Sequence, residues 1–211
     1  MKYDLRGTIC EHRKICNRYI YLLLLPFCLF VSGCKENYTP KQNGYFRLDF
    51  PAEKKYQLYD NNACPFTFEY PGYGIIQKDS SEANDLKNPC WFNILVPDHK
   101  VKIYLTYTAI DGNNTLDRLV RDSYTLTFKH TIKADYIDET PVNPKPGVSG
   151  ILYDVGGNSA SAVQFFLTDS SRHFLRGSLY FYSAPNVDSL APAIAYFRGD
   201  MEHIINTLDW K

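Results

Sequence analysis

The chain lacks a dominant charge. Its 23 Lys and Arg residues balance 23 Asp and Glu over 211 residues, with no basic stretch of the kind that displaces counterions from phosphates. Nucleic acid is therefore not an expected partner. Also missing is an apolar run long enough to cross a bilayer. The longest uncharged one, Ile20 to Val31, has twelve residues and spans roughly 18 Å as a helix, against a hydrocarbon core of ~30 Å. The sequence has no HExxH helix, no paired CxxC and no Walker-type loop. Cysteine is scarce: six residues, of which Cys10, Cys16 and Cys28 fall in the first 28 positions.

What is present begins at the N-terminus. Lys2, Arg6, Arg13, Lys14 and Arg18 face only Asp4 and Glu11, a basic segment that membrane charge asymmetry holds on the cytoplasmic side. The short apolar run follows, and then Ser32, Gly33 and Cys34. Small residues let an extended backbone enter a peptidase, and the thiol accepts a diacylglyceryl group, so the pattern resembles a lipobox. On this reading residues 1–33 are an export signal and Cys34 is the acylated, palmitate-bearing N-terminus. Residues 34–43 form a polar tether, and residues 44–211 one domain outside the cytoplasm. Cleavage at an ordinary secretory site nearby is the plainer alternative. Removing five bases and two acids leaves a mature chain of net charge −3, long enough for a hydrophobic core.

Cleavage and acylation leave two cysteines, Cys64 and Cys90. In an oxidising compartment they point to one disulfide; two buried free thiols are the alternative.

Along the mature chain, period-two alternation marks strands over residues 44–50, 65–70, 90–96, 101–107, 150–155, 161–168 and 173–182. Residues 97–100 and 169–172 read as hairpin connections, which make their flanking strands antiparallel. Two segments switch to helical period. One runs from Thr115 to about His130, with Asn114 as a cap. The other carries Leu190, Ile194, Phe197, Met201, Ile204 and Leu208 as one stripe, with Asp188 and Ser189 offering caps and Pro192 in the first turn. The expected class is α+β: an antiparallel sheet of about six to eight strands covered by two helices.

Chemistry is harder to find. His99, His130, His173 and His203 are solitary. The turn from Gly156 to Ser161 is the most tempting stretch, but it lacks a G-x-S-x-G form and leads into a strand, so it reads first as a tight turn. Asp154, Asn158, Ser159, Ser161, Gln164, His130 and His173 are the polar residues whose loss would expose hidden chemistry. No catalytic, cofactor or metal residue is assigned. The 17 tyrosines fit either a partner surface or ordinary strand alternation.

Several stretches, taken in order, carry a resemblance. They are Tyr38 to Lys41, Gly44 to Asp49, Cys64 to Tyr70, Pro89 to Asn93, Phe128 to Ala134 and Ile151 to Asp154. Gly157 to Ser161, Phe165 to Ser170, His173 to Gly177, Asp188 to Pro192 and Thr207 to Trp210 complete the set. Together they resemble the gliding-motility lipoprotein D family (GldD) of Bacteroidota. The resemblance implies a non-enzymatic envelope lipoprotein of the gliding apparatus, associated with type IX protein secretion. Its expected partners are the membrane, through the lipid on Cys34, and other envelope proteins of that machinery. The competing class is an envelope hydrolase or glycan-binding lipoprotein. Two hairpin strands followed by an amphipathic helix also look like the photosystem-P/Mog1 type of α+β domain.

Overall fold

Connections as short as Pro97–Lys100 and Asp169–Arg172 leave a strand nowhere to go but back along its predecessor, so this chain builds itself from hairpins. The computed structural model describes residues 49–51, 53–78 and 89–211. The export signal, Cys34, the tether and most of the strand expected over 44–50 lie outside the described residues. Asp49 and Phe50, the end of that strand, are not in a sheet. Phe50 instead stacks on Tyr196, ring centres 4.1 Å apart.

Ten strands and two helices follow: β1 (Tyr56–Asp60), β2 (Phe66–Pro71), β3 (Ile75–Lys78), β4 (Trp91–Val96), β5 (Val101–Ala109), α1 (Leu116–Phe128), β6 (Ala134–Lys145), β7 (Val148–Gly157), β8 (Val163–Thr168), β9 (His173–Phe181), α2 (Val187–Thr207) and β10 (Asp209–Trp210). The main sheet has seven strands in the order β3-β4-β5-β9-β8-β7-β6, and every neighbouring pair is antiparallel. The class is α+β, with two helices, as the sequence pattern predicts. The strand expected over 65–70 does form, but it joins β1 and β10 in a separate three-stranded sheet.

The core lies between these layers. Phe92, Ile94, Ile103, Leu105, Phe165, Leu167, Leu175 and Leu179 face Phe197, Met201, Ile204 and Leu208 of the C-terminal segment and Phe66 and Phe68 of the small sheet. Four of the six stripe positions, Phe197, Met201, Ile204 and Leu208, are fully buried, each stabilising the fold by about 1.5–3 kcal/mol. Gly177 is required by this packing: a Cβ there would come within 2.3 Å of the Phe165 ring. The disulfide between Cys64 and Cys90 ties the turn before β2 to the start of β4, with Cα atoms 5.5 Å apart, inside the range the bond demands.

Helix ends differ from the sequence reading in three respects. Asn186, not Asp188 or Ser189, caps α2, its side chain accepting the Ser189 N–H. The helix thereby starts early enough to put Pro192 inside it instead of in the first turn. Thr115 occupies the cap position of α1 without a side-chain bond, while Asn113 and Asn114 donate their backbone N–H groups to Asp111.

The opposite face of the main sheet is unusual. One row crosses all seven strands through directly paired residues: Gln77, Asn93, Tyr104, Ser178, Gln164, Tyr153 and Glu139. Every one of them is polar. Helix α1 lies over part of this face, above the small apolar cluster of Tyr153, Phe166 and Phe174. Coverage from both sides explains why β8 is buried along its whole length. Among the described residues no helix is long and apolar enough to cross a membrane.

Candidate functional site

The Gly156–Ser161 stretch is a turn whose polar atoms are already engaged. Gly157 takes φ +81°, a conformation that β-carbons disfavour. Asn158 Oδ1 accepts the Val187 N–H at 3.0 Å, tying the turn to the start of α2. Ser159 donates to the Ser161 carbonyl at 3.0 Å, and Ser161 is buried. No serine here is presented to solvent beside a base.

The turn borders a groove of about 370 Å³ between β6, β7 and the first half of α2. Ala162, Ala191, Ile194 and Ala195 make its apolar side, and Tyr136, Asp138, Asp154 and Arg198 its polar side. Asp138 and Asp154 are direct cross-strand partners, a placement that would repel. Arg198 relieves it with a bidentate grip on Asp154, Nε to Oδ1 at 2.8 Å and Nη2 to Oδ2 at 2.9 Å. A further bond to Glu202 measures 2.6 Å. The bond to Asp154 above all holds the guanidinium pKa above its ordinary value.

A second charged cluster lies where α2 meets the small sheet. Asp200 has no exposed surface. It accepts from Lys54 Nζ at 2.9 Å, from Tyr56 at 3.0 Å and, through a short bond, from Tyr73. Lys54 also donates to the Tyr196 carbonyl at 2.6 Å and sits 4.0 Å over that ring. Burial, then the Asp200 bond, raises the Tyr73 phenol well above the usual range; burial and the Asp200 charge raise Tyr56 likewise. Tyr56 stacks on His203, whose Nε2 lies 2.7 Å from Glu69. Sequence reading missed this cluster, although it held a signal: Asp200 falls on the apolar stripe of α2, three residues after Phe197 and four before Ile204. A carboxylate in that position is tolerable only with partners.

The other sequence candidates are dispersed. Gln164 and His130 lie toward the α1 side of the main sheet, where burial and Arg176 lower the His130 pKa. His173 is buried, hydrogen-bonded through Nδ1 to Tyr107 at 2.8 Å and stacked on Trp210. Burial lowers its pKa, and the opposing pull of Asp169 does not restore it. Asp169 shapes the β8–β9 hairpin. Burial works against its ionised form, but the N–H groups of Arg172, His173 and Ser171 hold its carboxyl well below the usual range. No group of three or more His, Cys, Asp or Glu able to hold a metal occurs among the described residues.

No curated protein matches the chain. Among solved structures, the solution structure of cyanobacterial PsbP (CyanoP) from Synechocystis sp. PCC 6803 is similar at 13% identity and a TM-score of 0.43, covering 74% of this chain and 92% of that one. The sequence profile described as gliding motility lipoprotein GldD matches residues 35–210. That span takes in the two helices, both sheets and the disulfide, and the chain belongs to the gliding motility lipoprotein GldD family.

Proposed function

We propose that the protein is a lipid-anchored, non-enzymatic component of the gliding-motility machinery, associated with type IX secretion and held at its membrane through Cys34. Family membership supports the motility role. Several acyl chains on one cysteine anchor stably, where a single chain binds only marginally.

How Asp200, Asp154 and Asp169 are bound carries the non-enzymatic part. Catalysis requires a titratable or nucleophilic group left available to substrate beside a second that assists it. Asp200 is bound by Lys54, Tyr56 and Tyr73, Asp154 by Arg198, and Asp169 by three backbone N–H groups. Each is committed to the fold, at three separate places. Such a protein acts by presenting surfaces to partners, and the groove beside α2, with its apolar and its charged side, offers one.

The test is fractionation of tagged full-length protein from cells, with wild type and Cys34→Ala compared for membrane retention, co-purifying envelope proteins and gliding. Wild type is expected in the membrane fraction with partners attached, and the variant released. A Cys34→Ala protein as firmly bound as wild type would contradict the anchor.

A further inference from the structure

Beneath α1 the apolar contact that Leu116, Leu119, Val120 and Phe128 make with Tyr153, Phe166 and Phe174 gives way to a polar patch. The fully buried residues of α1 are Ser123 and Thr127. Under them lie Gln164 and Ser178, cross-strand partners at the centre of the polar row, and Arg176, one pleat along on the same face. Gln164 and Ser178 are each 1% exposed, and Ser123 2%.

The hydrogen bonds made here leave a remainder rich in donors, while Asn93 Oδ1, two strands further along the row, is an unpartnered acceptor. Gln164 Oε1 accepts from Arg176 Nη2 at 2.5 Å and from Thr127 Oγ1 at 3.2 Å. Because the guanidinium can only donate, the orientation of the amide is fixed and its Nε2 faces elsewhere. Gln164 Nε2, Arg176 Nε, Ser178 Oγ and Ser123 Oγ are all buried without a partner. All four can donate, and the two N–H groups can do nothing else. One such group left unmade costs about 1–3 kcal/mol, so four together would consume much of a domain's stability. Arg176 compounds the imbalance. Among the described residues no carboxylate pairs with it, and the titratable side chains that interact with it, Tyr153, Tyr180 and His130, supply no negative charge. Burial depresses its pKa, as expected for a cation without a counter-charge.

A partly buried guanidinium with unpartnered polar atoms on the neighbouring strand and the covering helix, and no carboxylate paired to it, has the composition of an oxyanion site. We infer that Arg176, Gln164, Ser178 and Ser123 bind a single oxyanion group, a carboxylate or a phosphate, between α1 and the outer face of the main sheet. The ligand supplies the missing acceptors and the missing negative charge together. This site is independent of the groove beside α2 and of the anchor at Cys34.

The experiment follows thermal unfolding of the full-length protein in detergent at constant ionic strength, replacing chloride stepwise by acetate in one arm and by phosphate in the other. A saturable rise in melting temperature is expected with at least one oxyanion, and the responding arm tells carboxylate from phosphate. In Arg176→Met the half-saturating concentration should rise at least tenfold, and in Ser178→Ala by a smaller factor. Gln164→Glu, which places a carboxylate beside Arg176, should melt higher than wild type without added oxyanion and lose the response. Should Arg176→Met fail to fold, the Ser178→Ala and Gln164→Glu results decide. A linear rise of equal slope in wild type and variants is the general stabilisation by excluded salts and overturns the inference. So does a wild type that responds to neither oxyanion.

Discussion

Lys54 and Asp200 are 146 residues apart in the chain and 2.9 Å apart in the fold. The pair pins the segment leading into β1 against α2, and Tyr56 and Tyr73 occupy two further acceptor positions of the carboxylate. Removing one member of a buried pair strands the others. Asp200→Ala should therefore cost about 3–5 kcal/mol, read as a lower urea midpoint with the slope of the transition unchanged. A loss below about 1 kcal/mol would mean that the cluster is ornamental to the fold.

The disulfide closes a loop of 26 residues. Replacing Cys64 and Cys90 together by Ala should lower stability by on the order of 3–4 kcal/mol in the chain-entropy account. The expected observation is a matching fall in the unfolding midpoint, absent when wild type is compared with itself under non-reducing conditions. Non-reducing peptide mapping of envelope-derived protein should recover the two cysteines in one linked peptide pair.

Stability should also respond to mild acid through His173. Burial depresses its folded-state pKa below that of the unfolded chain, so the unfolded chain takes up the proton first. Above about pH 6.5 both states are neutral and the shift has no effect; as pH falls from there toward the lower folded-state value, stability declines. His130 contributes in the same direction. Unfolding measured from pH 8 to pH 5 should show this decline, and His173→Gln should flatten part of it. A wild-type stability that rises over that interval would contradict the assignment.

Which of these features could be read in advance follows from how local their causes are. The hairpin at Pro97–Lys100 depends on four residues, with Lys100 at φ +53°, and alternation on both sides announced it. The stripe of α2 depends on spacing within one segment. Strand β6 was not legible: Pro141 and Pro144 interrupt any pattern there. It is a strand because β7 pairs with it, and prolines are tolerated because it is the outermost strand of the main sheet. Of the charged partnerships, the sequence offered Asp154 as a candidate, but nothing near it named Arg198, 44 residues away. Gln164 stood out as a polar residue in an apolar strand, while its partners Arg176 and Thr127 lie on two other elements. Side chains that meet only after the strands are paired leave no mark on local spacing.

On the proposed function, this family member works by holding partners. Catalysis concentrates in one or two groups whose loss costs orders of magnitude in rate, whereas an interface spreads its energy over a few anchors and fails by coming apart. The direct measurement is a scan replacing Asp154, Asn158, Ser159, Ser161, Gln164, His130 and His173 one at a time in cells, scored together for gliding, protein level and co-purifying envelope proteins. Every variant retaining normal level and normal partners should also retain gliding. A variant such as Ser161→Ala that is stably made, still complexed and non-motile would contradict it.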